Sequence, residues 1–205
     1  MYTLYSIPGT CSTGITVLLT KLELDFEIVK TNEMENYADI VPTNQVPALK
    51  DGDKIITEGA AIVLYLLEKH KNDILPQDIT QKGEFLQYLM FNNATLHPAY
   101  SKVFTANAIL TDGDEKTNFL NALADNLSKY WAIIDKRLAN RKYVTGDKPT
   151  VIDYLIAIYT SWNSYFPMIE VTLGDNVKRL TEEIIELPEF KAAYKKEGVG
   201  FTKTF

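Results

Sequence analysis

The sequence is poor in the residues that most often carry chemistry. Its 205 residues include one cysteine, Cys11, and two well-separated histidines, His70 and His97. A lone cysteine excludes an internal disulfide and agrees with a reducing compartment. The Asn93-Ala94-Thr95 and Asn126-Leu127-Ser128 sequons are then chance matches. So few cysteines and histidines form no zinc-type ligand cluster, and no metal is expected. Positive charge is also short: 21 Lys and Arg stand against 27 Asp and Glu, a net charge of -6, with the signs interspersed. A nucleic-acid partner needs a basic patch to neutralise phosphates, so none is expected. No apolar run approaches the roughly 20 residues that span a bilayer, and no basic segment followed by an apolar stretch opens the chain. A soluble, cytoplasmic protein with no membrane partner is expected. Residues 9–14 carry the glycine spacing of a phosphate-binding loop, but Ile15 stands where its lysine would be, which rejects a nucleotide-binding loop. The carboxylates are scattered and single out no acid-base pair.

What is present is organised around residues 1–22. A short apolar, aromatic run over 1–5 has strand length, Pro8-Gly9 is a turn dipeptide, and Ile15, Leu18, Leu19 and Leu22 recur on one helical face. The pattern is strand, turn, helix, and Cys11 falls where the helix begins. Unpaired amides and the positive end of the helix dipole bias a thiol there towards thiolate. The alternative is a small buried hydrophobe without chemistry.

Phe26, Ile28 and Val29 suggest a second strand, followed by a polar stretch with one or two helical turns over 32–40. Residues 46–50 and 54–57 flank Asp51-Gly52-Asp53, whose Asp-Gly step signals a hairpin turn. A helix follows from Glu58 to about His70, so the first third predicts a small α/β domain. After a connector over 72–81 every pattern is helical: 80–110, 116–139, and two shorter helices over 175–186 and 188–196. Thr150-Val151-Ile152-Asp153 resembles a capping box opening a buried helix that runs to about Phe166. Pro98 predicts a bend in the helix that contains it.

Five segments in register carry a family resemblance. Residues 5–12, Asn44-Gln45-Val46-Pro47-Ala48-Leu49, Thr57-Glu58-Gly59-Ala60-Ala61-Ile62, Leu96-His97-Pro98-Ala99-Tyr100, and 144–153 occur in the order and spacing of cytosolic glutathione transferases. The chain resembles the bacterial beta class most. The resemblance implies a thioredoxin-like glutathione-binding domain over 1–74, an all-helical domain over 82–205 that supplies an electrophile pocket, and a homodimer. The implied function is detoxifying conjugation of glutathione, the co-substrate, to small hydrophobic electrophiles, or glutathione-dependent thiol-disulfide exchange. The alternative is a transferase-fold interaction protein that has lost catalysis.

On this resemblance Cys11 matches the position that forms a mixed disulfide with glutathione, while Ser12 or Tyr5 offers a hydroxyl to the glutathione sulfur instead. Thr10 joins the glutathione contacts. Val46 before Pro47 matches a cis-proline step that turns the valine backbone towards the ligand, although X-Pro bonds are usually trans. Glu58 would pair with the ligand's ammonium and Gly59 would offer its amide to the γ-glutamyl carboxylate; Gly59 stands where the family often has serine. His97 matches a histidine lining the electrophile pocket, which Tyr100, Phe104 and Trp162 would wall, though aromatics at helical spacing usually belong to a core. Two departures stand out. A lysine of the beta class has no counterpart around Asn36, and Met90 stands where an asparagine reaches the site.

Overall fold

The computed structural model describes residues 1–205. The alternation of the first strand sets the architecture. In β1 (Tyr2–Ser6), Tyr2 and Leu4 face the main core while Tyr5 enters a smaller cluster on the other side of the sheet. Helix α1 (Cys11–Lys21) crosses over to β2 (Phe26–Lys30), which pairs parallel to β1 with Tyr2 opposite Phe26. A 3-10 turn (Thr31–Glu33) and the single-turn helix α2 (Tyr37–Ile40) fill the polar stretch. Strands β3 (Ala48–Asp51) and β4 (Lys54–Thr57) form the hairpin around Gly52, whose φ of +58° suits glycine. Sheet order is β2-β1-β3-β4, with β3 antiparallel to β1, and α3 (Gly59–Lys69) follows. This is a thioredoxin-like arrangement.

The rest is helical: α4 (Ile79–Met90), a π-helical segment (Phe91–Leu96), α5 (His97–Ile109), α6 (Asp114–Leu138), α7 (Val151–Ser161), a 3-10 turn (Trp162–Tyr165), α8 (Asp175–Ile185) and α9 (Pro188–Glu197). The bend expected at Pro98 is that π segment. Proline has no N–H to continue the α-helical ladder, and the register loosens just before it, with His97 N–H reaching the Asn92 carbonyl. The strand expected at 46 begins only at Ala48, because Val46-Pro47 is a cis bond and Pro47 has no amide to donate.

One hydrophobic core runs from Leu4 through α1 and α3 to Tyr194 on α9, so the sheet half and the helical half are packed as one body. All residues of α7 are buried. Its partner α1 comes so close that a Cβ on Gly14 would lie 2.6 Å from Leu155 Cδ2. The start of α7 is held by the box expected from sequence. Thr150 Oγ1 accepts the Ile152 N–H, and the buried Asp153 carboxylate accepts N–H bonds from Thr150 (2.8 Å) and Val144 (2.9 Å). Asp153→Ala would orphan both of those buried amides. It should cost about 2–4 kcal/mol of stability, measured by urea unfolding; a change under about 0.5 kcal/mol would refute this role of the carboxylate.

Candidate functional site

A cleft of about 860 Å³ opens between the two halves. Its sheet-side wall contains Ile7, Cys11, Val46, Pro47, Glu58 and Gly59; the helical wall contains Met90, Asn93, Ala94, His97, Pro98 and Ser101.

Cys11 is the first residue of α1, after the N-cap Thr10. Its Sγ points at the Val46 carbonyl, 3.6 Å away, as a donor. The helix start does not make it a thiolate. Burial pushes the thiol up to about 12, against the amides of Cys11 and Ser12 and the Thr10 hydroxyl, and the Glu58 charge pushes the same way. The dipole argument loses because Cys11 is half-buried in the cleft wall, and desolvation of an anion outweighs one partial charge.

Ser12, expected as an alternative hydroxyl for the ligand sulfur, is buried and fully engaged. Its Oγ lies 2.7 Å from both Ser6 Oγ and Thr10 Oγ1, accepts the Ile7 N–H at 3.2 Å and bonds the Ile7 carbonyl at 3.0 Å. It holds the turn and does not line the cleft. Thr10 likewise spends its hydroxyl on the Ile7 carbonyl and the helix cap. Tyr5 packs against Tyr37 in the small cluster beneath α2 and does not line the cleft either.

At the other end of this wall, Glu58 precedes α3 with φ 66° and ψ 114°. That is outside the regions open to non-glycine residues and costs about 1–3 kcal/mol. No side chain caps α3, and Gly59, Ala60 and Ala61 of its first turn all line the cleft. Their amides have no partner within the helix and suit a carboxylate. The missing side chain of Gly59 has a cause. A Cβ there would lie 2.9 Å from Asn93 Oδ1, so the amide of Asn93, tied to the Leu89 carbonyl at 2.8 Å, occupies the space beside it. Asn93 is the site residue that sequence inspection missed. It lies three residues beyond Met90, on the same helical face, which was the available signal.

His97 lines the cleft half-buried, its ring 5.8 Å from that of Tyr159 and 5.5 Å from that of Trp162, and burial lowers its pKa and keeps it neutral. The aromatic wall expected behind it is absent. Tyr100 is core: its hydroxyl donates to Asn163 Oδ1 at 2.8 Å and accepts from Trp131 Nε1 at 2.9 Å. Phe104 lies against Phe166, and Trp162 is buried with its Nε1 on the Gly9 carbonyl. None of the three lines the cleft. Aromatic spacing alone cannot tell a pocket wall from a core layer.

The profile described as "Glutathione S-transferase, N-terminal domain" matches residues 1–68. Residues 1–68 are thus a glutathione S-transferase N-terminal domain. Curated relatives include a zeta-class glutathione S-transferase of Euphorbia esula, 29% identical over 200 residues, covering 90% of this chain and 85% of that protein. A glutathione S-transferase of Triticum aestivum is 27% identical over 194 residues, covering 90% and 88%. Among solved structures, a glutathione S-transferase from Xylella fastidiosa superposes with a TM-score of 0.87 at 22% identity over 98% of this chain and 100% of the other. A sphingomonad glutathione S-transferase complexed with glutathione gives 0.80 at 25% identity over 97% and 100%. Members of the family thus share the whole fold with this chain.

The raised thiol has a measurable signature. The iodoacetamide rate at Cys11 should climb about tenfold per pH unit from pH 7 to 9 without levelling, because the thiolate fraction is still growing there. A plateau below pH 8 would show a depressed thiol pKa and contradict the burial argument.

Proposed function

We propose that this protein is a glutathione transferase, with glutathione as co-substrate in the cleft between its halves. The observation that carries the reading is one wall that combines the Cys11 sulfur, the Val46 carbonyl beside it, and the uncapped first turn of α3 under Glu58. An anionic tripeptide thiol fits these in order. The γ-glutamyl carboxylate meets the amides of Gly59 to Ala61, its ammonium meets Glu58, and the cysteinyl backbone pairs with Val46 as an added strand. The ligand sulfur then faces Cys11. Asn93 supports the γ-glutamyl end from the helical wall, and Met90, His97 and Pro98 face the electrophile.

Two reactions use this arrangement. In conjugation the glutathione thiolate attacks the electrophile, and the protonated Cys11 donates a hydrogen bond that steadies it; the buried Ser12 hydroxyl is not available for that task. In thiol-disulfide exchange the Cys11 thiolate attacks a glutathione mixed disulfide. The old S–S bond breaks and its other half leaves as a thiolate. A glutathione thiolate then attacks the new Cys11 disulfide, releasing glutathione disulfide and restoring Cys11. The small thiolate fraction makes this second reaction faster at alkaline pH. A reducing cytoplasm suits both, and removal of small electrophiles is the corresponding cellular role.

Two variants test the reading. Glu58→Ala should stay folded and bind glutathione more weakly by about 1.5–3 kcal/mol in calorimetry, the scale of a charge-assisted hydrogen bond. Cys11→Ala should keep glutathione binding, lose thiol transfer, and take up no glutathione from glutathione disulfide in intact-mass analysis. Unchanged affinity in folded Glu58→Ala would remove the assigned site, and full thiol transfer in Cys11→Ala would remove the cysteine mechanism.

We further propose a two-fold homodimer, supported by the family resemblance. Sedimentation at micromolar concentration should give twice the 23.2 kDa chain mass. A monomer alone would contradict it.

A further inference from the structure

The turn that delivers Cys11 is gripped from far along the chain. Gly9, two residues before it, has a φ of +78°, and both of its peptide groups are held by the helical half. Its N–H is shared between Thr13 Oγ1 at 2.9 Å and Glu197 Oε2 at 3.2 Å, and its carbonyl accepts the Trp162 Nε1–H at 2.9 Å. Glu197 is the last residue of α9 and is only 1% exposed. Its carboxylate also accepts the hydroxyls of Thr13 (2.7 Å) and Thr16 (2.6 Å) on α1. No cation is paired with it.

A buried, unpaired carboxylate is an expensive way to join two helices. Well-packed apolar groups usually do so at lower cost. Here three donors converge on one group, and one of them is the backbone amide of the turn itself. Trp162 completes the grip from the opposite side of the same residue. With Gly9 held at both ends, the path of residues 7–10 is set, and with it the point where α1 starts and the direction of the Cys11 sulfur towards the Val46 carbonyl.

We infer that Glu197 and Trp162 are positioning residues for Cys11, a clasp by which the helical half holds the sulfur in its half-buried place at the cleft wall. The inference rests on Cys11 being the sulfur-reactive group, but it is read without glutathione, so the clasp and the transferase reading can fail separately.

The test is the iodoacetamide rate at Cys11 at pH 8.5, with thermal unfolding measured alongside. Trp162→Phe keeps an aromatic ring in the buried aromatic cluster and removes the donor, while Glu197→Ala removes the carboxylate. Each should speed alkylation about fivefold or more, because a released turn opens locally and exposes the sulfur. Glu197→Gln should return most of the way to the wild-type rate, since its carbonyl oxygen can accept from Gly9 and Thr13 while its amide donates to the Thr16 hydroxyl. Tyr154→Phe is the control. It deletes the 2.9 Å bond from Tyr154 on α7 to Glu189 on α9, another tie of α9 that lies away from the turn. It should lower the melting temperature and leave the rate within about twofold of wild type. Wild-type rates in folded Trp162→Phe and Glu197→Ala would overturn the inference, as would equal acceleration in Tyr154→Phe, which would trace the effect to global stability. Should Glu197→Ala not fold, Trp162→Phe decides alone.

Discussion

The burial of α1 is the constraint on which the rest depends. Residues from Ser12 to Leu19 are buried in succession, so this helix has no solvent face, with the sheet and α3 against it and α7 and α9 closing over it. A helix covered on every side must satisfy each polar side chain locally. Ser12 is spent on the turn, and Thr13 and Thr16 on Glu197. The thiol at its start is half-buried against the same core. Its acidity is set by that burial more than by the helix dipole beneath it.

The fold was largely legible because its signals are local. The apolar, aromatic run over 1–5, the Asp51-Gly52 turn and the Thr150 to Asp153 box each act within a few residues, and each stands in the structure within one or two positions of expectation. Cys11, Val46, Pro47, Glu58, Gly59 and His97, which the resemblance groups, all line one cleft. What long-range packing decides was not legible. Nothing local distinguishes Tyr100, bonded between Asn163 and Trp131, from an aromatic facing a pocket. Nothing near Cys11 in sequence announces the desolvation that raises its pKa. Asn93 needed the three-dimensional fact that its amide stands where a Gly59 side chain would be.

Two helix starts share the cleft wall and are treated in opposite ways. At α1, Thr10 caps the Ser12 amide and the turn around it is saturated with hydroxyls. At α3, no side chain caps the first turn, and the residue before it is held in a costly backbone conformation. The first arrangement leaves a half-buried, neutral sulfur; the second leaves bare amides beside a carboxylate. A ligand with a thiol at one end and an amino acid head at the other meets each feature at the end that suits it.

The approach of α7 to Gly14 bears on how such a site can select its partner. Leu155 occupies the volume that any larger residue at 14 would need, so the two halves interlock like a peg in a socket. Sliding one helix past the other by a turn would drive Leu155 into a neighbouring side chain, which removes the shear motions by which packed helices often adjust. The gap between the walls is thus a fixed gauge, and the breadth of molecules admitted depends on how freely Met90 and other side chains at its rim can change rotamer.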